Sequence, residues 1–331
     1  MGTEKVNRKE NGPYAVATQS TARGRVLKDL IFWFNNDLSI GKKVKSGELR
    51  KKIVKVEPEW KVPEAYNLTH IDTDHFSMKL LSLKSNPNLD KVILQLHGGG
   101  YIGAIRNIYY DFAVYYSERS KGASILCPDY RVDTEDPYPA ALEEAVCSYK
   151  WILDRGYKGE QIILAGDSAG GGLAMALTMY LRDYKMPLPC GIIAMSPWAD
   201  VTAGGESYET NYEQDPLFGN TKESMIYSND YSGEHDKTDP YISPVFGDFT
   251  DFPPMLIQVG STEMLLSDAT TVTEKVREKG GKVRLSIYED MFHVFQMAGM
   301  IIPESKKAWA EVEKFVEILM DVEGRKHLEK T

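Results

Sequence analysis

Short apolar runs alternate with longer amphipathic stretches along most of this chain. Val92 to Leu96, Ala123 to Cys127, Gln161 to Ala165, Gly191 to Met195, Met255 to Val259 and Val283 to Tyr288 have strand length, which predicts six strands. Several are apolar at successive positions, as strands covered on both faces are. Periodic segments near Ile108 to Glu118, Ala140 to Leu153, Ala169 to Tyr184 and Ala269 to Lys279 predict helices between them. That alternation implies an α/β fold class, with a mostly parallel sheet flanked by helices on both sides. A closing helix opens with Pro303 in its first turn. It carries Trp309, Val312, Phe315, Val316 and Leu319 on one stripe, which should face the sheet. Asn67 to Leu83 predicts an antiparallel start to the sheet.

Two segments break the alternation. Residues 1 to 60 are charged and helix-prone around an apolar cluster, Leu30-Ile-Phe-Trp-Phe34, and residues 204 to 239 are polar and aromatic, with Tyr208, Tyr212, Phe218, Tyr227 and Tyr231. A single aromatic in such a place is ordinary surface decoration. A long insertion after a sheet strand more often covers the functional edge of the sheet, so both segments are expected to build a cap. The chain then divides into an N-terminal cap contribution (1 to 60), a first part of the main domain (61 to 203), a cap insertion (204 to 239) and a second part of the main domain (240 to 331).

Composition narrows the function classes. At 331 residues with 42% hydrophobic content the chain can bury a large core, and its formal net charge of −9 leaves no basic stripe for a phosphate backbone. No nucleic acid partner is expected. No apolar run reaches the roughly 18 residues of a membrane span, and the opening residues lack a secretory apolar region, so the expectation is a cytoplasmic protein. Cys127, Cys147 and Cys190 are widely spaced and odd in number, which suits buried, inert thiols and supplies no metal site.

The candidate chemistry starts at Gln161-Ile-Ile-Leu-Ala-Gly166-Asp-Ser168-Ala-Gly170, a strand, a G-x-S-x-G turn and a small-residue helix in succession. Glycines on either side of Ser168 permit a sharp turn that presents the hydroxyl above the sheet edge. Upstream, Val92-Ile-Leu-Gln-Leu-His97-Gly-Gly-Gly100 is a strand running into three glycines. Acyl transfer needs backbone amides aimed at a developing oxyanion, and Gly99, Gly100 and Ala169 are placed to supply them. His97 reads as a loop-fixing residue. The same loop also spells Gly98-x-Gly100-x-x-Gly103 before a strand ending at Asp129, which imitates a dinucleotide-binding unit but leaves the turn at Ser168 unexplained.

A serine nucleophile needs a base, and only His235 and His293 follow Ser168. His293 comes just after the last predicted strand and is the expected base, whereas His235 lies in the polar insertion. The acid should follow the preceding strand, where Glu263 and Asp268 are candidates. Glu263 is in the loop itself and is preferred, because Asp268 suits the first turn of the next helix and its dipole.

Together His97-Gly-Gly-Gly100, Tyr130-Arg131 leading to Pro137-Tyr-Pro-Ala-Ala141, Gly166-Asp-Ser-Ala-Gly170, Ser196-Pro-Trp198, Asp239-Pro-Tyr-Ile-Ser-Pro244 and His293-Val-Phe295 resemble the bacterial hormone-sensitive-lipase-type (family IV) carboxylesterases of the α/β-hydrolase superfamily. The likeness covers most of residues 60 to 320. It implies an eight-stranded sheet with a cap and hydrolysis of small-molecule, short-chain carboxylic esters without a cofactor. It also implies Ser168 as nucleophile, His293 as base, Glu263 as acid, and Gly99, Gly100 and Ala169 as the oxyanion hole. Two positions depart from the pattern: Glu263 stands where an aspartate is usual, and Asp133-Thr134 where Ala-Pro is usual. Trp33 and Phe34 are candidates for the pocket wall. The rival readings are a serine peptidase or amidase on the same fold and a non-catalytic small-molecule receptor on a hydrolase scaffold. A homodimer through an edge strand or the closing helix stays open.

Overall fold

A computed structural model describes residues 19–35, 57–132, 136–219, 226–227 and 229–320, without the side chains of 32–35. The pocket-wall candidates Trp33 and Phe34, as side chains, and the departures at Asp133 and Thr134 therefore lie outside the described residues. The strands are β1 Tyr66–Asp72, β2 Ser77–Leu83, β3 Asn88–Leu96, β4 Ala123–Asp129, β5 Ile162–Asp167, β6 Gly191–Met195, β7 Met255–Gly260 and β8 Val283–Tyr288. They form one sheet in the order β1-β2-β4-β3-β5-β6-β7-β8. β2 pairs antiparallel with β1 and β4, and every other pair is parallel. Helices are α1 Ala22–Asn35, α2 Asn107–Arg119, α3 Ala140–Asp154, α4 Ala169–Asp183, α5 Ser207–Thr210, α6 Leu266–Glu278 and α7 Pro303–Met320.

Period-two alternation sorts the core into two layers. Leu94, Ile162, Leu164, Ile192 and Ile257 point to the side covered by α3, α4 and α6, where Tyr149, Leu173, Leu177 and Val272 meet them. Ile93, Ile125, Ile163 and Ile193 point to the side covered by α2 and α7. The predicted α7 stripe is buried there, with Trp309, Val312, Val316 and Leu319 fully covered. Central strands wetted on neither face must be apolar at successive positions, and all six residues of β5 are buried.

Parallel pairing brings the C-terminal ends of β3, β5, β6, β7 and β8 to one edge. Both irregular segments reach that edge. Ser20 Oγ, just ahead of α1, donates to Asp290 Oδ2 at 2.7 Å, and Lys28 on α1 lies 3.8 Å from Asp290 Oδ1. From the insertion, the Tyr231 ring stacks on Tyr101 with centroids 3.5 Å apart.

The expectation of three buried cysteines needs correction at two positions, at one of which Cys190 is half-buried. Cys127 is buried in β4, but Cys147 is exposed, because it falls with Glu143, Lys150 and Asp154 on the solvent face of α3. The predicted helix at Ala269 starts earlier, at Leu266, which puts Asp268 inside the first turn of α6.

Asp268 is nevertheless buried. Its Oδ2 accepts the Ala199 and Asp200 amides at 2.8 and 2.9 Å and the Tyr208 hydroxyl at 3.2 Å, fastening the chain after β6 to α6. Burial, reinforced by the Asp200 charge, pushes the Asp268 carboxyl well above the usual carboxylate range. Above the ordinary unfolded-state pKa the folded chain thus binds one proton more than the unfolded chain. Stability falls as pH rises toward the folded-state pKa. Asp268→Asn removes this titration while keeping an oxygen for the three donors. Its Tm is expected to gain on the parent's as pH rises from about 4 to about 8, read by thermal melts. A Tm difference that stays constant across that range would refute the account.

Candidate active site

Ser168 sits between β5 and α4 with φ 51° and ψ −124°, a left-handed φ that a residue with a Cβ adopts at a cost. The surroundings leave it no other choice. Its amide donates to Met195 O at 2.9 Å, and its carbonyl accepts the Trp198 amide at 2.8 Å and the Gly171 amide at 3.0 Å. A Cβ on Gly166 would fall 2.2 Å from Gly170 O, and one on Gly170 would fall 2.1 Å from Leu96 O. Both flanking glycines are therefore required by contact distance as well as by the turn.

The oxyanion candidates lie beside this turn. Gly99 and Gly100 have φ of 116° and 63°, where side chains are strained, and Ala169 is the first residue of α4. The Tyr101 hydroxyl donates to Ala169 O at 2.9 Å and so ties the glycine loop to the start of α4. His97 is buried, stacks on Tyr130 at 4.1 Å and pairs through Nδ1 with Gly98 O at 2.8 Å. Burial lowers its pKa, which keeps the ring neutral in a loop-fixing place. Asp129, the acidic residue of the dinucleotide-like pattern, accepts the Ile105 amide at 2.8 Å. Since α2 begins only at Asn107, the glycine loop does not open a helix as a dinucleotide site requires.

Of the two candidate acids the structure brings Glu263 to the imidazole. Glu263 Oε2 is 3.0 Å from His293 Nδ1, while Oε1 accepts the Ser196 hydroxyl at 2.7 Å and the Gly260 amide at 2.5 Å. Asp268 is committed to the 199–200 backbone. Both members of the Glu263–His293 pair are buried, with His293 8% exposed, so water competes little for the bond. Among the described residues, Ser168 Oγ and the ring make no hydrogen bond to each other. A resting nucleophile and base commonly stand that loosely, tightening around substrate. His235 is exposed and packs only its edge on Tyr138, away from this cluster.

Three contributors were not foreseen. Ser196 Oγ donates to Glu263 and accepts the Val294 amide at 3.0 Å, linking the acid and base loops. Thr262 Oγ1 adds a bond to Met291 O at 2.7 Å. Asp167, next to Ser168, accepts the Tyr109 hydroxyl at 3.3 Å, and burial pushes its carboxyl up to about 7 against the pull of the His293 charge. Ser196 and Asp167 each lie in a motif quoted above, Ser196-Pro-Trp198 and Gly166-Asp-Ser-Ala-Gly170, whereas Thr262 carried no such signal. Among the described residues no cluster of three or more His, Cys, Asp or Glu side chains could hold a metal, and no helix is long and apolar enough to cross a membrane.

A family profile for the alpha/beta hydrolase fold matches residues 93–297. An acetyl-hydrolase of Streptomyces hygroscopicus is 36% identical over 218 residues, covering 66% of this chain and 72% of that protein. An esterase of Acinetobacter venetianus is 32% identical over 233 residues, covering 70% and 77%. A crystal structure of an esterase from the bacterial hormone-sensitive lipase family superposes with a TM-score of 0.79 at 29% identity, over 91% of this chain and all of that one (100%). With an eight-stranded sheet, a turn at Ser168 and these relatives, the chain belongs to the α/β-hydrolase fold family, in its bacterial hormone-sensitive-lipase-type branch.

Proposed function

We propose that this protein is a serine carboxylesterase in which Ser168, His293 and Glu263 form the triad and the amides of Gly99, Gly100 and Ala169 the oxyanion hole. The observation that carries the reading is the buried 3.0 Å contact between Glu263 and His293 Nδ1 at the edge where the turn presents Ser168. With Nδ1–H donated to the carboxylate, Nε2 is the acceptor for the Ser168 proton. The Ser168 oxygen then bonds to the ester carbonyl carbon, and the carbonyl oxygen takes up negative charge facing the three amides. As the tetrahedral species collapses, the carbon–alkoxy bond breaks and the imidazolium protonates the leaving alcohol. Water repeats the sequence on the acyl-enzyme and releases a carboxylic acid. Glu263 holds the tautomer throughout and stabilises the imidazolium.

Small acyl groups suit the site. Phe218 of the insertion stands edge-on to His293 with centroids 4.8 Å apart, and the one helix described within residues 204–239 is the four-residue α5. That leaves little continuous apolar surface for a lipid tail. The name acetyl-hydrolase of the Streptomyces relative agrees with a small acyl group.

Activity on p-nitrophenyl esters is expected to be higher for acetyl, butyryl and hexanoyl than for decanoyl and longer chains, with a peptide anilide cleaved far more slowly. Faster cleavage of emulsified long-chain triglyceride than of soluble butyrate would contradict this. Ser168→Ala and His293→Ala should each lower kcat by about 10⁴ or more with the fold intact, and the double variant should be little worse. Losses that multiply would show that the two side chains do not work as one unit. Glu263→Gln is expected to lower kcat by about a hundredfold or more, while Asp268→Asn stays within about tenfold. The opposite ranking in steady-state assays would reassign the acid.

A further inference from the structure

The segment after α5 reaches the backbone of the acid loop through two side chains. Asn211 Nδ2 donates to Ser261 O at 3.1 Å and Glu263 O at 2.7 Å. Asp215 Oδ2 accepts the Met264 amide at 2.8 Å, and its Oδ1 accepts the amides of Leu217 at 2.8 Å and Phe218 at 3.0 Å. The Asp215 side chain is 1% exposed, so the carboxyl has no help from bulk water. A buried carboxylate is expensive unless its lone pairs are filled, and here three amides from two segments fill them. One of those segments bears Glu263. The other ends in Phe218, whose ring lies against the imidazole.

We infer that Asp215, seconded by Asn211, is a positioning residue through which the insertion fixes Glu263 and His293 in register; this rests on the triad reading above. An amide side chain cannot replace the carboxylate. Asparagine has one oxygen, so either Met264 or the Leu217–Phe218 pair would face an N–H group, donor against donor.

Charge adds a second effect. The groups around His293 come from three elements besides its own: Glu263 after β7, Asp167 at the end of β5, and Asp215 from the insertion. On the ring's own loop Glu289 is exposed, and Asp290 is occupied by Ser20 and Lys28. Burial raises the Asp215 pKa, while its amide partners and the His293 charge oppose the rise. When the ring takes the Ser168 proton, negative charge at Asp215 favours the imidazolium. Losing it should make the ring a weaker base.

The experiment measures kcat, KM and the pH dependence of kcat/KM on p-nitrophenyl butyrate for Asp215→Asn, Asn211→Ala and Glu263→Gln, and for each of the first two combined with the third. Asp215→Asn is expected to lower kcat about tenfold or more with KM within about twofold. The acid limb of its profile should move to lower pH. On either positioning variant, Glu263→Gln should cost at least about tenfold less than it does in the parent, because an acid already out of register has less to lose. A loss confined to KM, an unmoved acid limb, or losses that multiply would overturn the inference and leave the triad standing. A silent Glu263→Gln would overturn both. Should Asp215→Asn fail to give a cooperative melt, Asn211→Ala carries the same comparison, since it removes two bonds to the acid loop and leaves the carboxyl in place. Multiplying losses there overturn the inference equally.

Discussion

One strained peptide sets the geometry of this protein. The left-handed φ of Ser168 costs about 1 to 3 kcal/mol, and it persists because β3, β5 and β6 all press on the same turn. Leu96 leaves no room for a side chain at Gly170, Met195 receives the Ser168 amide, and Trp198 donates to the Ser168 carbonyl. The glycine loop after β3 is tied to this turn through Tyr101 and Ala169, and the acid and base loops are tied to the next strand through Ser196. Buried side chains, Tyr101, Ser196 and Glu263, thus refer the glycine loop and the His293 ring to the same turn and the strand beside it.

Buried carboxyl groups crowd the same edge, and none of the four nearest the site relies on a lysine or arginine. Glu263 has a hydroxyl, an amide and the imidazole; Asp215 and Asp268 have amides, with Tyr208 added for the latter; Asp167 has the Tyr109 hydroxyl. Neutral donors satisfy oxygen lone pairs without cancelling charge. An ionised carboxyl held in this way beside the imidazole favours the protonated ring, whereas Asp268, held well above the usual carboxylate range, adds no such charge.

Much of this was legible in the residues. Six strands and the closing helix were recognisable because a doubly covered strand must be apolar at consecutive positions, while a helix on a sheet must be apolar on one stripe. β1 and β2 were visible only as a region, since their half-exposed faces dilute the pattern. Ser168 and His293 could be read because glycine spacing and chain order leave few options. The choice of Glu263 over Asp268 rested on the onset of α6. Residues before the helix face the sheet edge, whereas one inside its first turn is rotated away, toward Ala199. Asp215 and Asn211 were not foreseen. Their task is to receive or supply hydrogen bonds to backbone from a distant segment, and a short polar side chain in a polar insertion gives no periodic sign of that.

The position of α7 also bears on how the chain is made. Ile93, Ile125, Ile163 and Ile193 lie under Trp309, Val312 and Val316, so the covering for a face built early in synthesis is supplied by residues 303–320. Until that helix leaves the ribosome, a nascent chain that already holds Ser168 has this isoleucine face covered only in part, by α2. Sheet edges and apolar faces exposed in this way are what chaperones bind and what drives aggregation. Closing of that face thus waits for residues made after Ser168, Glu263 and His293. A truncated product would be an aggregation hazard before it could be a partial enzyme.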